Sequence, residues 1–202
     1  MKRRYIVGIC GASGVIYGVT LVNQLLRLPV ELHVILSADG KKVMGHELNY
    51  DGNLFECLKN SGGQPPHPDA RLHEHDVSDF FAAPASGSFR HHGMVIAPCT
   101  VKTLATAAAG IADNLITRAA DICLKERRPL ILVPRETPFS AIHLENMLRL
   151  TRAGATILPA APAFYFGPRS IQDLVDFIVA RLLDHLGIEH RLTTEWGHET
   201  LV

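Results

Sequence analysis

The chain lacks net charge: twenty Lys and Arg balance twenty Asp and Glu. That balance excludes the long-range field with which proteins attract nucleic acid or an anionic membrane surface, and it points to a small-molecule partner. It also lacks a disulfide pattern. The four cysteines, Cys10, Cys57, Cys99 and Cys123, form no C-x-x-C pair and no dense framework, so they read as reduced thiols of a cytoplasmic protein. No stretch reaches the ~18 uninterrupted apolar residues of a bilayer span; residues 153–166 come nearest, and Pro159 and Pro162 break them. Met1-Lys2-Arg3-Arg4 runs into apolar residues in the manner of a signal peptide, but Gly8, Gly11, Ser13 and Gly14 interrupt the run, which reads as folded structure. Repeats and low-complexity tracts are missing as well. With 202 residues, 47% of them hydrophobic, the chain has enough apolar surface for one well-buried core and is short for two domains.

What is present alternates between two periods. Residues 5–10 are a short apolar run ending in glycines, after which Val15, Val19, Val22 and Leu26 recur at helical spacing. Residues 31–36 supply a second strand and residues 39–48 a helix. Residues 49–79 are richer in Gly, Pro, His and charge and read as a surface excursion with one short helix. Residues 94–97 and 130–133 are continuously apolar, the pattern of parallel strands buried on both faces. Helices fit at 101–109 and 115–126. Ser140 caps a helix carrying Leu144, Met147 and Leu148, and residues 156–158 form a last short strand. Ser170 and Asp173 make a capping box for a helix with Ile171, Leu174, Val175, Ile178 and Leu182 on one stripe, stopped at Gly187. Alternating strands and helices predict a three-layer, doubly wound α/β domain, Rossmann-like or flavodoxin-like, with a mainly parallel sheet.

The turn Gly11-Ala12-Ser13-Gly14 joins the first strand to the first helix. Helix N-termini present unpaired N–H groups and a partial positive charge, so a glycine-rich turn there suits a phosphate; tight packing of strand on helix needs the same glycines. A nicotinamide dinucleotide is disfavoured, because Gly8, Gly11 and Gly14 do not spell G-x-G-x-x-G and the second strand ends at Ser37 and not at an acidic residue. Histidine is abundant, but neither His73-Glu74-His75 nor His91-His92 has i, i+4 spacing, and adjacent strand residues point to opposite sides, so no metal is assigned.

Further blocks are hard to explain by fold alone: Ala85-Ser86-Gly87-Ser88, Ala97-Pro98-Cys99-Thr100-Val101-Lys102-Thr103-Leu104, Leu115-Ile116-Thr117-Arg118-Ala119-Ala120-Asp121, Leu124-Lys125-Glu126-Arg127-Arg128-Pro129-Leu130, Pro134-Arg135-Glu136-Thr137-Pro138 and Pro162-Ala163-Phe164-Tyr165. Together with the first turn they resemble the UbiX/Pad1 family of flavin prenyltransferases over nearly the whole chain, least between residues 39 and 79. The resemblance implies an FMN-binding domain over residues 1–187 with a C-terminal tail at 188–202. It implies a metal-independent transfer of a dimethylallyl group, from its phosphate or diphosphate, to N5 and C6 of reduced FMN. The product, prenylated FMN, would serve a UbiD-type decarboxylase, in ubiquinone synthesis or in aromatic-acid breakdown. Large homo-oligomers, dodecamers in many relatives, are implied too.

By the same resemblance FMN touches Gly11, Ala12, Ser13, Ser37, Thr100, Val101, Lys102, Thr103 and Arg135. The prenyl phosphate meets Ser86, Ser88, Arg118, Lys125, Tyr165 and Arg181. Proton transfers fall to Glu136 at the phosphate and to Ser13 and Glu47 near N5. The chemistry asks for cations at the leaving phosphate, and Arg118 and Lys125, seven residues apart, share a helix face. Two departures stand out: Cys99-Thr100 replaces the commoner cysteine-serine pair, and Tyr165-Phe166-Gly167-Pro168 lacks the His-Arg that often follows the tyrosine. Two alternatives are an FMN-dependent cysteine decarboxylase of the phosphopantothenoylcysteine decarboxylase type and a non-enzymatic flavin carrier. The first lacks clean counterparts for its P-A-S-A-N-T and P-x-M-N blocks, and the second has no use for a second phosphate site.

Overall fold

The computed structural model describes residues 2–193. Six strands, β1 (Arg3–Ile9), β2 (Val30–Leu36), β3 (Arg71–Asp76), β4 (Met94–Cys99), β5 (Leu130–Pro134) and β6 (Thr156–Ile157), form one sheet in the order β3-β2-β1-β4-β5-β6. Every pairing is parallel. Seven helices accompany them: α1 (Val15–Leu26), α2 (Ala38–Leu48), α3 (Leu54–Asn60), α4 (Val101–Ala108), α5 (Leu115–Lys125), α6 (Ala141–Arg152) and α7 (Ile171–His185).

Strand alternation builds two cores, one on each side of the sheet. Tyr5, Val7, Ile9, Leu32, Val34, Val95 and Val133 face α1, α3 and α7, where Val15, Val19, Val22, Leu58, Val175 and Ile178 cover them. Ile6, Ile35, Met94, Ile96, Leu130 and Leu132 face α4, α5 and α6, meeting Leu104, Ile116, Ala119, Met147 and Leu150. Gly18 lets α1 lie against β4: a Cβ there would run into the Ala97 carbonyl oxygen. The predicted cap at Ser140 and the capping box at Ser170 and Asp173 are present, and a further box opens α5 at Asn114 and Thr117.

Three expectations change. Residues 49–79 hold not only the short helix α3 but also β3, an edge strand paired along its length with β2. Its sequence, Arg-Leu-His-Glu-His-Asp, has no apolar run because an edge strand has a single neighbour and profits from charge. On α6 the apolar residues do not all turn inward: Met147 and Leu150 are buried, whereas Ile142, Leu144 and Leu148 are exposed. At the start of α7, Ile171 lies 80% exposed, outside the stripe it was assigned to. At the other end, Ile188 packs into the core, and residues 194–202 of the expected tail lie outside the described residues.

Because β3 is a strand, His73 and His75 stand on the same face. They meet His33 of β2: His33 Nδ1 lies 2.8 Å from His75 Nε2, and the His33 ring stacks on both. Burial, followed by the neighbouring charges of His75 and His73, lowers the His33 pKa to about 4 and leaves the ring neutral. The hydrogen bond from Arg4 holds the Glu31 carboxyl below its usual range.

Candidate functional site

The strand order reverses between β1 and β4, and at that switch point the C-terminal ends of neighbouring strands feed helices on opposite sides of the sheet, opening a crevice. Residues from four strand ends are joined there. After β1 comes residues 11–14; after β2, Ser37; after β4, Thr100 to Thr103; after β5, Arg135. Arg135 Nε donates to the Ser13 carbonyl at 3.0 Å, and Arg135 N donates to the Cys99 carbonyl. Cys10 Sγ lies 3.4 Å from Thr103 Oγ1, and Ser37 N donates to the Ile9 carbonyl. Gly11 abuts α2, since a Cβ on it would sit 2.5 Å from Asp39 Cβ. Thus all the residues assigned to FMN occupy one continuous edge.

Local chemistry explains the shape of each piece. Ser37 and Thr100 are N-caps, accepting hydrogen bonds from Gly40 N and Thr103 N, and so fix the first turns of α2 and α4 toward the crevice. Gly14 takes the left-handed conformation, φ 94°, where a Cβ is disfavoured. Among the described residues no hydrogen bond takes the N–H groups of Ala12, Ser13, Val101 or Lys102, which fits a ligand rich in acceptors, as a flavin and its phosphate are. Burial disfavours the thiolate form of the cysteines beside them, raising the pKa of Cys10 and, further, of Cys99.

The first turn itself differs from a simple phosphate cradle. Glu47, from the far end of α2, places its carboxylate on Gly14 N at 2.9 Å and on Val15 N at 3.2 Å. It caps α1 from another helix, and two of the N–H groups that the turn offers an anion are already taken. The same contact brings Glu47 beside Ser13.

Arg118, Lys125, Ser86 and Ser88 form a second group. Arg118 Nε donates to the Ala85 carbonyl at 3.2 Å, and Lys125 Nζ lies 3.0 Å from where a Gly87 Cβ would stand, so both cations face the same loop. Ser86 Oγ and Ser88 Oγ are 2.8 Å apart. Each cation has an acidic partner, Asp121 for Arg118 and Glu126 for Lys125. Arg128 is a residue that the sequence reading did not single out: it donates to the Phe89 and Gly87 carbonyls at 2.7 and 2.6 Å and holds the loop in place. Its signal was its position in the Leu124-to-Leu130 block.

The remaining assigned residues stand apart. Glu136 follows Arg135 and accepts from Thr137 N. Tyr165 is 63% exposed and meets Phe166 and Phe177 edge-on. Arg181 is paired with Asp184 on α7. Among the described residues no hydrogen bond or ion pair joins Arg118, Lys125 or Arg181 to the Ser13 edge.

Comparison with known proteins agrees with this arrangement. The model of the Flavoprotein family matches residues 1–183. A flavin prenyltransferase UbiX of Alkalihalophilus pseudofirmus is 48% identical, over 95% of this chain and 94% of its own. The structure of AnUbiX (PadA1) in complex with FMN and dimethylallyl pyrophosphate superposes with a TM-score of 0.88 at 40% identity, covering 98% of this chain and all of that one. A dodecameric FMN-dependent UbiX-like decarboxylase from Escherichia coli O157:H7 gives 0.85 at 42% identity, over 96% and 98% of the two chains. A PPC decarboxylase, 18% identical with a TM-score of 0.59, shares the fold alone. With its strand-end edge, its second cationic loop and this near-complete likeness, the chain belongs to the UbiX family of flavin prenyltransferases.

Proposed function

We propose that this chain joins the dimethylallyl group of dimethylallyl phosphate or diphosphate to N5 and C6 of reduced FMN. The observation that carries the reading is the pairing of two built surfaces in one chain: the edge of N–H and hydroxyl donors knit together by Arg135, and the serine loop faced by Arg118 and Lys125. A flavin carrier needs the first surface alone.

When bound, reduced FMN supplies the nucleophilic N5 and C6 atoms. The chain's own groups do the rest. The N-terminal turn of α4, with Ser37 and Arg135, holds the flavin. Ser13 orients N5 through its hydroxyl, and Glu47 beside it receives the proton lost on alkylation. Arg118, Lys125, Ser86 and Ser88 stabilise the anion that develops on the departing phosphate, where preorganised charge is worth most. Glu136 hands that oxygen a proton. Arg181, paired with Asp184 on α7, and the exposed Tyr165 complete the site of a neighbouring copy in a homo-oligomer, in keeping with the exposed apolar residues Phe81, Ile142, Leu144 and Ile171. By analogy with the E. coli neighbour that assembly is a dodecamer. The product passes to a UbiD-type decarboxylase, and four buried, unbridged thiols fit a cytoplasmic setting.

The test is anaerobic incubation with reduced FMN and each dimethylallyl ester, followed by mass spectrometry of the released flavin. A flavin heavier by one C5H8 unit is expected with at least one ester. An unchanged flavin with both esters rejects the reading and returns the decarboxylase and carrier alternatives.

A further inference from the structure

On the face of the sheet that carries His33, β2 and β3 bear a cluster with no part in the reaction above. Glu31 and His33 are i, i+2 on β2, and His73 stands directly opposite His33 in the parallel register. Glu31 Oε1 lies 3.3 Å from His33 Nε2 and 3.7 Å from His73 Nε2, and the three ligand atoms fall within 4.8 Å of one another. Around a tetrahedral zinc ion with bonds of about 2.0–2.1 Å, neighbouring ligand atoms stand about 3.4 Å apart. Two of the three separations are already close to that value, and the third closes by a small rotation of His73, whose side chain is 46% exposed. We propose that Glu31, His33 and His73 bind a divalent zinc-type cation, with water in the fourth position.

The surroundings support the assignment. Two imidazoles and one carboxylate select zinc, cobalt or nickel over calcium and magnesium, which prefer oxygen alone. His75 is placed as the outer partner that orients a ligating imidazole: its Nε2 is 2.8 Å from His33 Nδ1. In the metal-free chain His33 Nε2–H donates to Glu31; metal binding calls for the other neutral tautomer, with Nδ1–H donating to His75, so no proton is released from this ring. Arg4 Nε takes the other carboxylate oxygen, Glu31 Oε2, at 2.8 Å, leaving Oε1 for the metal. Its positive charge weakens the site and places the affinity below that of an all-anionic one. The Phe89 ring, edge-on to His33 at 4.7 Å, shields one side from water. The ion would fasten the polar edge strand β3 to β2, and it lies apart from the Ser13 edge.

The experiment is a Co2+ titration of the chelator-treated full chain, read by visible absorption, with Zn2+ as competitor and thermal unfolding with and without Zn2+. One Co2+ per chain with the intense bands of tetrahedral coordination, displaced by Zn2+, and a raised Tm are expected. His73→Ala, at a half-exposed position, should keep FMN binding and lose at least about tenfold in Co2+ affinity together with the Tm shift. Absence of the bands in the parent protein overturns the proposal, as does equal binding by His73→Ala, which would put the ion elsewhere. Neither outcome bears on prenyl transfer.

Discussion

Single residues carry two of the consequences. His91 is buried, its Nδ1 has no well-formed hydrogen-bond partner among the described residues, and its Nε2 sits 3.7 Å from Cys123 Sγ. Burial first, then the positive charge of Arg128, with His92 adding to it, holds the His91 pKa at about 4 against an ordinary 6.5. The unfolded chain therefore binds the extra proton at a higher pH than the folded one. The stabilisation from a neutral His91 is complete above pH 6.5 and disappears as pH falls through 4. Between pH 7 and pH 5 this amounts to about 2 kcal/mol, and urea unfolding of the parent and of His91→Leu should differ in pH slope by that amount; parallel slopes would refute it. Glu47 makes a different demand. Glu47→Ala should cost about 1 kcal/mol, as loss of a helix cap does, and Glu47→Gln less, because an amide oxygen still accepts from Gly14 N. On the proposed chemistry both variants lose turnover, so a flavin assay and a denaturation curve should rank them differently.

Elements were legible where one physical cause dominated. β1, β2, β4 and β5 show as apolar runs because parallel strands are covered on both sides, and Ser170 with Asp173 shows as a helix start because its hydrogen bonds are local. β3 escaped because among the described residues its only strand partner is β2 and its side chains are polar; with it escaped the histidine cluster, whose i, i+2 spacing has meaning only on a strand. The α5 box was hidden because its reciprocal residue is Thr117, not Glu or Gln. The strand-end edge could be assembled from motif order alone, whereas the bond between Glu47 and Gly14, 33 residues apart, depends on how α2 lies against α1. Glycines separate the two kinds of information. Gly18→Ala pushes a methyl into the Ala97 carbonyl oxygen and should destabilise by about 3 kcal/mol, the upper range for overpacking. Gly45→Ala, in α2 with its nearest neighbour 3.4 Å away, should stabilise by up to about 1 kcal/mol through helix propensity. Equal effects in urea unfolding would show that contact with β4 does not set the choice of glycine at position 18.

At the scale of the whole molecule, the two cores seal all four thiols: Cys10, Cys57, Cys99 and Cys123 are each no more than 3% exposed. Burial raises every one of their pKa values, that of Cys123 to about 12. Ellman's reagent at mildly alkaline pH should find no fast-reacting thiol in the native protein and four after denaturation, so its rate reads opening of the fold; a fast native fraction would contradict this. The cap that Glu47 places on α1 reaches further. An elongated guest with charge at one end meets a crevice whose β1 side carries a carboxylate on the N–H groups of Gly14 and Val15 and keeps those of Ala12 and Ser13, while the β4 side keeps those of Val101 and Lys102 with no carboxylate bound to them among the described residues. The crevice is thereby polarised before anything enters it. On the proposed chemistry the Glu47 carboxylate disfavours an anion at the β1 turn, so a flavin is expected to turn its phosphate toward α4, and the side chain that sets this preference comes from the far end of α2.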